Sequence, residues 1–141
     1  MKKTKINDTL STTSIEIDDA VCSKLNKKKG LYITIEFTDV TNHEDKLEIE
    51  KCLISELRKL FEKNNIKEND EVLILGLGNR FSTADSLGPL TLDKVMITRH
   101  LFLLNTDVKA GIREVSGLSP GVMANTGIET YDIIESLINK V

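Results

Sequence analysis

A run of apolar residues that ends abruptly in glycine narrows the possible folds of this chain more than anything else in it. Val72 to Leu77 is almost continuously apolar, and the chain then continues Gly76-Leu77-Gly78-Asn79-Arg80-Phe81-Ser82-Thr83-Ala84-Asp85-Ser86-Leu87-Gly88-Pro89. A short unbroken apolar run bounded by turn residues is the pattern of a strand covered on both faces, as in a parallel sheet. Two glycines at its carboxyl end allow a sharp turn and a close approach of backbone to another group. Carboxyl ends of parallel strands are where open α/β sheets place their ligands. Asn79 is suited to holding such a loop by side-chain to backbone hydrogen bonds. Asp85 falls just before the next helix. An aspartate there is a standard N-cap, and Thr83 or Ser86 would serve as well, so capping and chemistry both stand open for it. A dinucleotide site is disfavoured, because the third glycine of G-x-G-x-x-G is absent and position 81 is Phe.

The rest of the pattern supports a parallel arrangement. Thr13 to Asp18 and Leu31 to Phe37 alternate and are β-branched, which predicts two strands that pair across an intervening Lys-rich turn. Asn42 to Asn64 is a helix pattern. Ile49, Cys52, Leu53, Leu57, Leu60 and Phe61 recur at three- and four-residue spacing, Asn42 is placed to cap it, and Glu44 and Asp45 favour its first turn. A second helix is expected from Leu87 or Gly88, carrying Leu90, Leu92, Val95 and Met96. A strand is expected over Ile112 to Leu118. A third helix is expected over Gly127 to Val141, with Ile128, Tyr131, Ile134, Leu137 or Ile138, and Val141 on its stripe. The order strand, strand, helix, strand, helix, strand, helix implies α/β with a mainly parallel sheet. Residues 1–12 are polar and expected to be flexible, leaving 13–141 as one domain. The pattern stops on a helix, where a right-handed β-α-β unit would next supply a strand.

Composition excludes several classes. The chain has 141 residues, 40% hydrophobic and 29% charged, which is a globular balance. It contains no apolar run approaching the length of a membrane helix, roughly 20 residues. The basic start Met1-Lys2-Lys3-Thr4-Lys5 is followed by no signal-peptide core, so a cytoplasmic protein is expected. A net charge of -3 argues against nucleic acid as a partner. The cluster Lys24, Lys27, Lys28 and Lys29 reads as a solvated turn, with a basic surface for an acidic partner as the alternative. Cys22 and Cys52 have no second Cys or His at ligand spacing, so a reduced structural pair is favoured over a disulfide or metal site.

Three further segments have composition that structure alone would explain singly. Thr98-Arg99-His100-Leu101-Phe102 suits a helix C-terminus, where Arg99 and His100 complement the dipole. Ser119-Pro120-Gly121-Val122-Met123 suits a strand-ending turn. Thr126-Gly127-Ile128-Glu129-Thr130 suits a capped helix start, with Thr126 as cap and Glu129 three residues on.

Taken together, GLGNRFSTADSLGP, ITRHLF and SPGVMANTGIET, in this order and spacing, resemble the germination protease family of spore-forming bacteria. Lys29-Gly30-Leu31-Tyr32-Ile33-Thr34-Ile35-Glu36 resembles that family's G-x-Y-x-T-I-E strand, so the resemblance covers residues 13–141. It implies a three-layer phosphorylase/hydrolase-like fold, shared with hydrogenase maturation peptidases and incomplete here at the C-terminus. It also implies an endopeptidase of atypical aspartic type that degrades small acid-soluble spore proteins during germination, in the spore core or forespore, without a cofactor. Asp85 matches the first of two catalytic aspartates. Gly76, Gly78, Asn79, Thr83, Arg99, His100 and Glu129 are the residues expected to support the site or bind substrate. Ala84 and Ser86 depart from the family's Pro and Ala. The family's second aspartate is expected on a strand beyond Val141, and its N-terminal T-D-L-A segment is not visible. An aspartic mechanism needs a second group beside Asp85, for which Glu129, Asp93, Glu36 and His100 are candidates. Two other readings stay open. One is a catalytically incomplete paralogue or fragment that binds spore proteins or a protease partner. The other is a nickel-dependent maturation-type peptidase, although only His43 and His100 are present to join a ligand set. A homo-oligomer is also left open.

Overall fold

The computed structural model describes residues 1–104 and 106–138. The chain divides into two compact units, Met1–Lys67 and Glu68–Val141, where the sequence suggested one domain from residue 13 onward. Each unit has its own sheet, and both mix helix with strand.

In the first unit, strands β1 (Lys2–Lys5), β2 (Leu10–Ile17) and β3 (Gly30–Phe37) form an antiparallel sheet in the order β1-β2-β3. Residues 1–12, expected to be flexible, are therefore β1, a turn and the start of β2. The reason is Asn7. Its Oδ1 accepts from the Thr9 amide at 2.8 Å. The same oxygen accepts from the Leu10 amide at 2.7 Å and from Thr9 Oγ1 at 3.0 Å. The result is an Asx-turn that reverses the chain. The pairing of β2 with β3 is as expected, with Thr13 opposite Thr34 and Ile15 opposite Tyr32. β2 is central, and Leu10, Thr12 and Ile17 on it are buried.

Between β2 and β3 lies an unexpected helix, α1 (Asp19–Leu25). Asp18 caps it, accepting from the Ala20 and Val21 amides at 3.1 Å, and Asn26 closes it in the left-handed region at φ 50°. Part of the Lys cluster is accounted for locally. Lys29 pairs with Asp19 at 2.7 Å, and the Lys28 carbonyl accepts from the Tyr32 hydroxyl.

Helix α2 (His43–Lys63) has the bounds expected of it, capped by Asn42 through Glu44 N at 3.1 Å. Its inward face differs. Cys52 is buried and Ile49, Glu56 and Leu60 are half-buried, whereas Leu53, Leu57 and Phe61 are 48%, 41% and 42% exposed. Ile49, Cys52, Glu56 and Leu60 follow one line along the helix at three- and four-residue steps. Burial follows that line even though Glu56 stands in it. Burial pushes the Cys52 thiol above its ordinary range, with the Glu56 charge adding to the effect.

In the second unit, β4 (Val72–Leu75) and β5 (Val115–Leu118) pair in parallel, Val72 opposite Val115 through Leu75 opposite Leu118. Backbone bonds from Val72 N to Glu114 O and from Gly76 N to Leu118 O extend the ladder at both ends. The expected mainly parallel sheet is thus a two-stranded parallel sheet, and the larger sheet, in the first unit, is antiparallel. All four residues of β4 are half-buried rather than enclosed, because two strands cannot cover one another as a wide sheet does. Parallel strands require a crossover. Here it contains a 3-10 turn (Thr83–Asp85), α3 (Leu87–Leu92) and α4 (Arg99–Leu103). After β5 come α5 (Met123–Thr126) and α6 (Thr130–Ile138).

Several boundaries differ from those expected: β5 starts at Val115 where Ile112 was expected, and α6 at Thr130 where Gly127 was expected. Val95 and Met96 lie beyond the end of α3. Arg99 and His100 begin α4 instead of ending a helix. Thr126 ends α5, with Gly127 as its left-handed cap at φ 71°, and does not cap α6. On α6, Ile134 and Leu137 are half-buried, while Ile128 before it and Tyr131 and Ile138 on it are exposed; Val141 lies outside the described residues.

The seating of α3 depends on absent side chains. A Cβ on Gly88 would lie 2.0 Å from the Leu77 carbonyl oxygen, and one on Gly76 would lie 2.7 Å from the Gly88 carbonyl oxygen. Both obstacles are backbone. Gly88→Ala is therefore expected to lower stability by about 2–3 kcal/mol. Urea denaturation of the two proteins checks this, and an unchanged midpoint and slope would refute the contact.

Candidate functional site

The loop between β4 and α3 folds back on itself. The Asn79 amide donates to the Asp85 carbonyl at 2.9 Å and to the Asp85 carboxylate Oδ2 at 3.0 Å. Inside that ring, Ser82 N donates to Asn79 O and Asp85 N to Ser82 O. The ring closes over Gly78, which sits at φ 128°, where a Cβ would lie 2.1 Å from the Asp85 carbonyl. Only glycine combines that backbone angle with that proximity.

Of the two readings of Asp85, the geometry does not favour capping of α3. Ser86 is the residue at the N-cap of α3, and it makes no side-chain cap bond there. The buried Ser86 hydroxyl donates instead to Thr83 O at 3.2 Å. The Asp85 carboxylate points back to Asn79, and Asp85 is exposed.

The turn after β5 fastens to this loop. Ser119 Oγ donates to Gly76 O at 3.1 Å, and Asn125 Nδ2 donates to Asn79 Oδ1 at 3.0 Å. Asn79 Oδ1 also accepts from Phe81 N at 3.0 Å. Thr130 Oγ1 donates to Gly121 O at 3.1 Å, holding the start of α6 to the same turn. Gly78 and Asn79 therefore meet Asp85 directly, while Gly76 and Thr83 are held in the same stretch through Ser119 and Ser86.

Arg99, His100 and Glu129 are not among its partners. Thr98 is 2% exposed; its hydroxyl donates to Arg113 O and accepts from Val115 N at 2.9 Å, and its amide donates to Val115 O at 3.0 Å. That clamp pins the start of α4 against the start of β5. It sets Arg99 Nε 3.2 Å from Glu114 Oε1, an ion pair whose angles do not make a hydrogen bond. His100 and Glu129 are exposed and neither hydrogen-bonds Asp85. The other carboxylates considered as partners are engaged elsewhere. Glu36 pairs with Lys3 at 2.9 Å and accepts from Ser11 within the first unit, and Asp93 pairs with Arg80 at 2.6 Å.

Asn125, Ser119 and Gly88 are the residues the sequence reading passed over. Gly88 was visible inside the quoted loop, but its role is a contact with Leu77 and Gly76 at the loop's other end, which spacing does not reveal. Asn125 lies inside the SPGVMANTGIET block but carried no signal of its own there. A hollow of about 370 Å³ lies along β4 and β5, lined by Glu71, Val72, Leu73, Leu75, Ser116 and Ile138; no residue of the 79–85 loop lines it. Among the described residues, no three His, Cys, Asp or Glu side chains are grouped so as to hold a metal ion.

Arg80 ties the loop to the end of α3 through Asp93. Its hydrogen bond and charge hold the Asp93 carboxyl below the ordinary 3.8. The folded value is the lower one, so this stabilisation is complete above pH 3.8 and is lost as pH falls through the depressed folded value. In Arg80→Gln the Asp93 carboxyl carbon is expected to titrate at higher pH, toward 3.8, in an NMR titration. An unchanged midpoint would show that the pair does not form in solution.

The sequence profile described as Germination protease matches residues 1–141. A germination protease of Geobacillus sp. (strain WCH70) is 38% identical over 136 residues, covering 94% of this chain and 37% of the relative. One from Bacillus cereus (strain ATCC 10987 / NRS 248) is 36% identical over 141 residues, covering 98% of this chain and 38% of the relative. The chain thus spans well under half the length of these relatives, and no described helix is long and apolar enough to cross a membrane. With a match that runs from the first residue to the last, this chain belongs to the germination protease family.

Proposed function

We propose that this chain carries one catalytic carboxylate, Asp85, of an endopeptidase of the germination protease type. The observation that carries the reading is the Asn79 amide bonded to Asp85 Oδ2, which fixes the carboxylate at the carboxyl end of a parallel strand while the residue stays exposed. The β4–β5 pair with its loops at the carboxyl ends supports the three-layer, phosphorylase/hydrolase-like arrangement. The substrates are small acid-soluble spore proteins and the setting is germination in the spore core, as membership of the family suggests.

In this mechanism one carboxylate takes a proton from water as its oxygen attacks the peptide carbonyl carbon. A second acid gives a proton to the departing amine nitrogen as the C–N bond breaks. Asp85 supplies one of these roles. Its Oδ2 is occupied by the Asn79 amide, which leaves Oδ1 to meet the water. Gly78 keeps that approach free of any side chain at the loop's inner edge.

The experiment is cleavage of a purified small acid-soluble spore protein by the intact protein and by Asp85→Asn. The expected result is a loss of kcat/KM on the order of 10²- to 10⁴-fold, the usual worth of a positioned acid or base. Equal cleavage by both proteins would remove Asp85 from the mechanism. Capture of the spore protein without any cleavage by the wild type would replace the peptidase reading with a binding role.

A further inference from the structure

We infer that Asn125 is a positioning residue for Asp85, acting through the side chain and backbone of Asn79. Its catalytic consequence rests on the peptidase reading; its structural part stands without it.

An asparagine's oxygen and nitrogen are interchangeable in shape, so their assignment comes from hydrogen bonding. Here the Phe81 amide, which can only donate, lies 3.0 Å from the terminal atom of Asn79, so that atom is the oxygen. Asn125 meets the same oxygen at 3.0 Å and must therefore present its Nδ2 hydrogens. The orientation of both amides follows from one backbone N–H.

Asn79 then works at three points at once. Its side-chain oxygen accepts from Phe81 and Asn125, its amide donates to the Asp85 carboxylate and carbonyl, and its carbonyl accepts from Ser82. The side chain and amide share one Cα, so the bonds that anchor the side chain also limit how far the backbone carrying the amide can move away from Asp85. Phe81 lies in the same loop and moves with it. Asn125 does not. It sits in α5, on a segment anchored to the end of β4 through Ser119 and Gly76 and to the start of α6 through Thr130 and Gly121. Among the described residues, Asn125 is thus the side chain that ties Asn79, and through it the backbone facing Asp85, to a segment outside the loop.

The test uses two variants of the intact protein. Asn125→Ala removes the donor, and Asn125→Asp keeps the shape but sets an acceptor against the Asn79 oxygen. Amide hydrogen exchange at Asn79 is expected to quicken about tenfold in both, as loss of one ordinary hydrogen bond implies. Cleavage of a small acid-soluble spore protein is expected to lose about tenfold in kcat at unchanged KM. In an Asn79→Ala background, Asn125→Ala is expected to cost nothing further, because its route to Asp85 is gone. Unchanged exchange at Asn79 in both variants would overturn the inference, as would an equal loss with and without the Asn79 side chain. Should the wild type itself not cleave, the exchange measurement alone decides this proposal, and the peptidase reading fails separately.

Discussion

Gly88 has no side chain, and because of that the first turn of α3 rests directly on the backbone of Leu77 and Gly76. This contact dictates how the chain leaves β4. With the start of α3 set against the strand's own end, the residues between have no room to extend and fold into a ring closed by the Asn79 amide on Asp85. Gly78 lines the inside of that ring because any Cβ would strike the Asp85 carbonyl. Asp85, which closes the ring, is at the same time exposed. One close backbone approach thus settles the loop's size and the direction of Asp85.

The second unit is held together largely by hydrogen bonds between segments far apart in sequence. Thr98 joins the start of α4 to the start of β5, and Ser119 joins the end of β5 to the end of β4. The strands are therefore tied at their carboxyl ends by the Ser119 hydroxyl and at their amino ends by the backbone bond from Val72 N to Glu114 O. Such bonds contribute about 1 kcal/mol each, and more is lost when a buried partner is left unpaired. Thr98 is the strongest case, since it is 2% exposed and satisfies a carbonyl and an amide of the same short stretch. In the first unit the comparable ties are ionic and exposed, as in Lys3 with Glu36 and Lys63 with Glu16, and exposed pairs add little. Its stability rests more on the central strand β2 and the buried Leu10, Ile17 and Cys52.

Local signals in the sequence were reliable where a residue acts on its immediate neighbours. Asn42 and Asn64 bound α2 as expected, because capping uses groups a few residues away. The β2–β3 pairing was legible from alternation. Of the readings that shifted, two depended on a distant partner and one on an adjacent glycine. The inward line of α2 runs through Cys52 and Glu56 instead of Leu57 and Phe61, because the sheet chooses among several apolar lines on a helix rich in them. Thr126 and Glu129 have the spacing of a capping box, yet Gly127 takes the left-handed region and ends α5 there. Arg99 suits either end of a helix, and the Thr98 clamp decides that it begins one.

Most of the elements, and the identity of the loop, were already written in the order of the residues. The apolar run, the paired glycines and Asp85 are contiguous, and contiguous residues constrain one another through local geometry alone. The family followed from the same blocks. Folding in three dimensions was needed to set which way Asp85 faces and what holds it there. Helix capping and loop closure were both open to an aspartate at that position. The choice was made by Gly88 against Leu77 and by Asn125 against Asn79, contacts between residues well separated along the chain. Interactions of that range leave no periodicity in a sequence, because they are set by where two surfaces meet after folding.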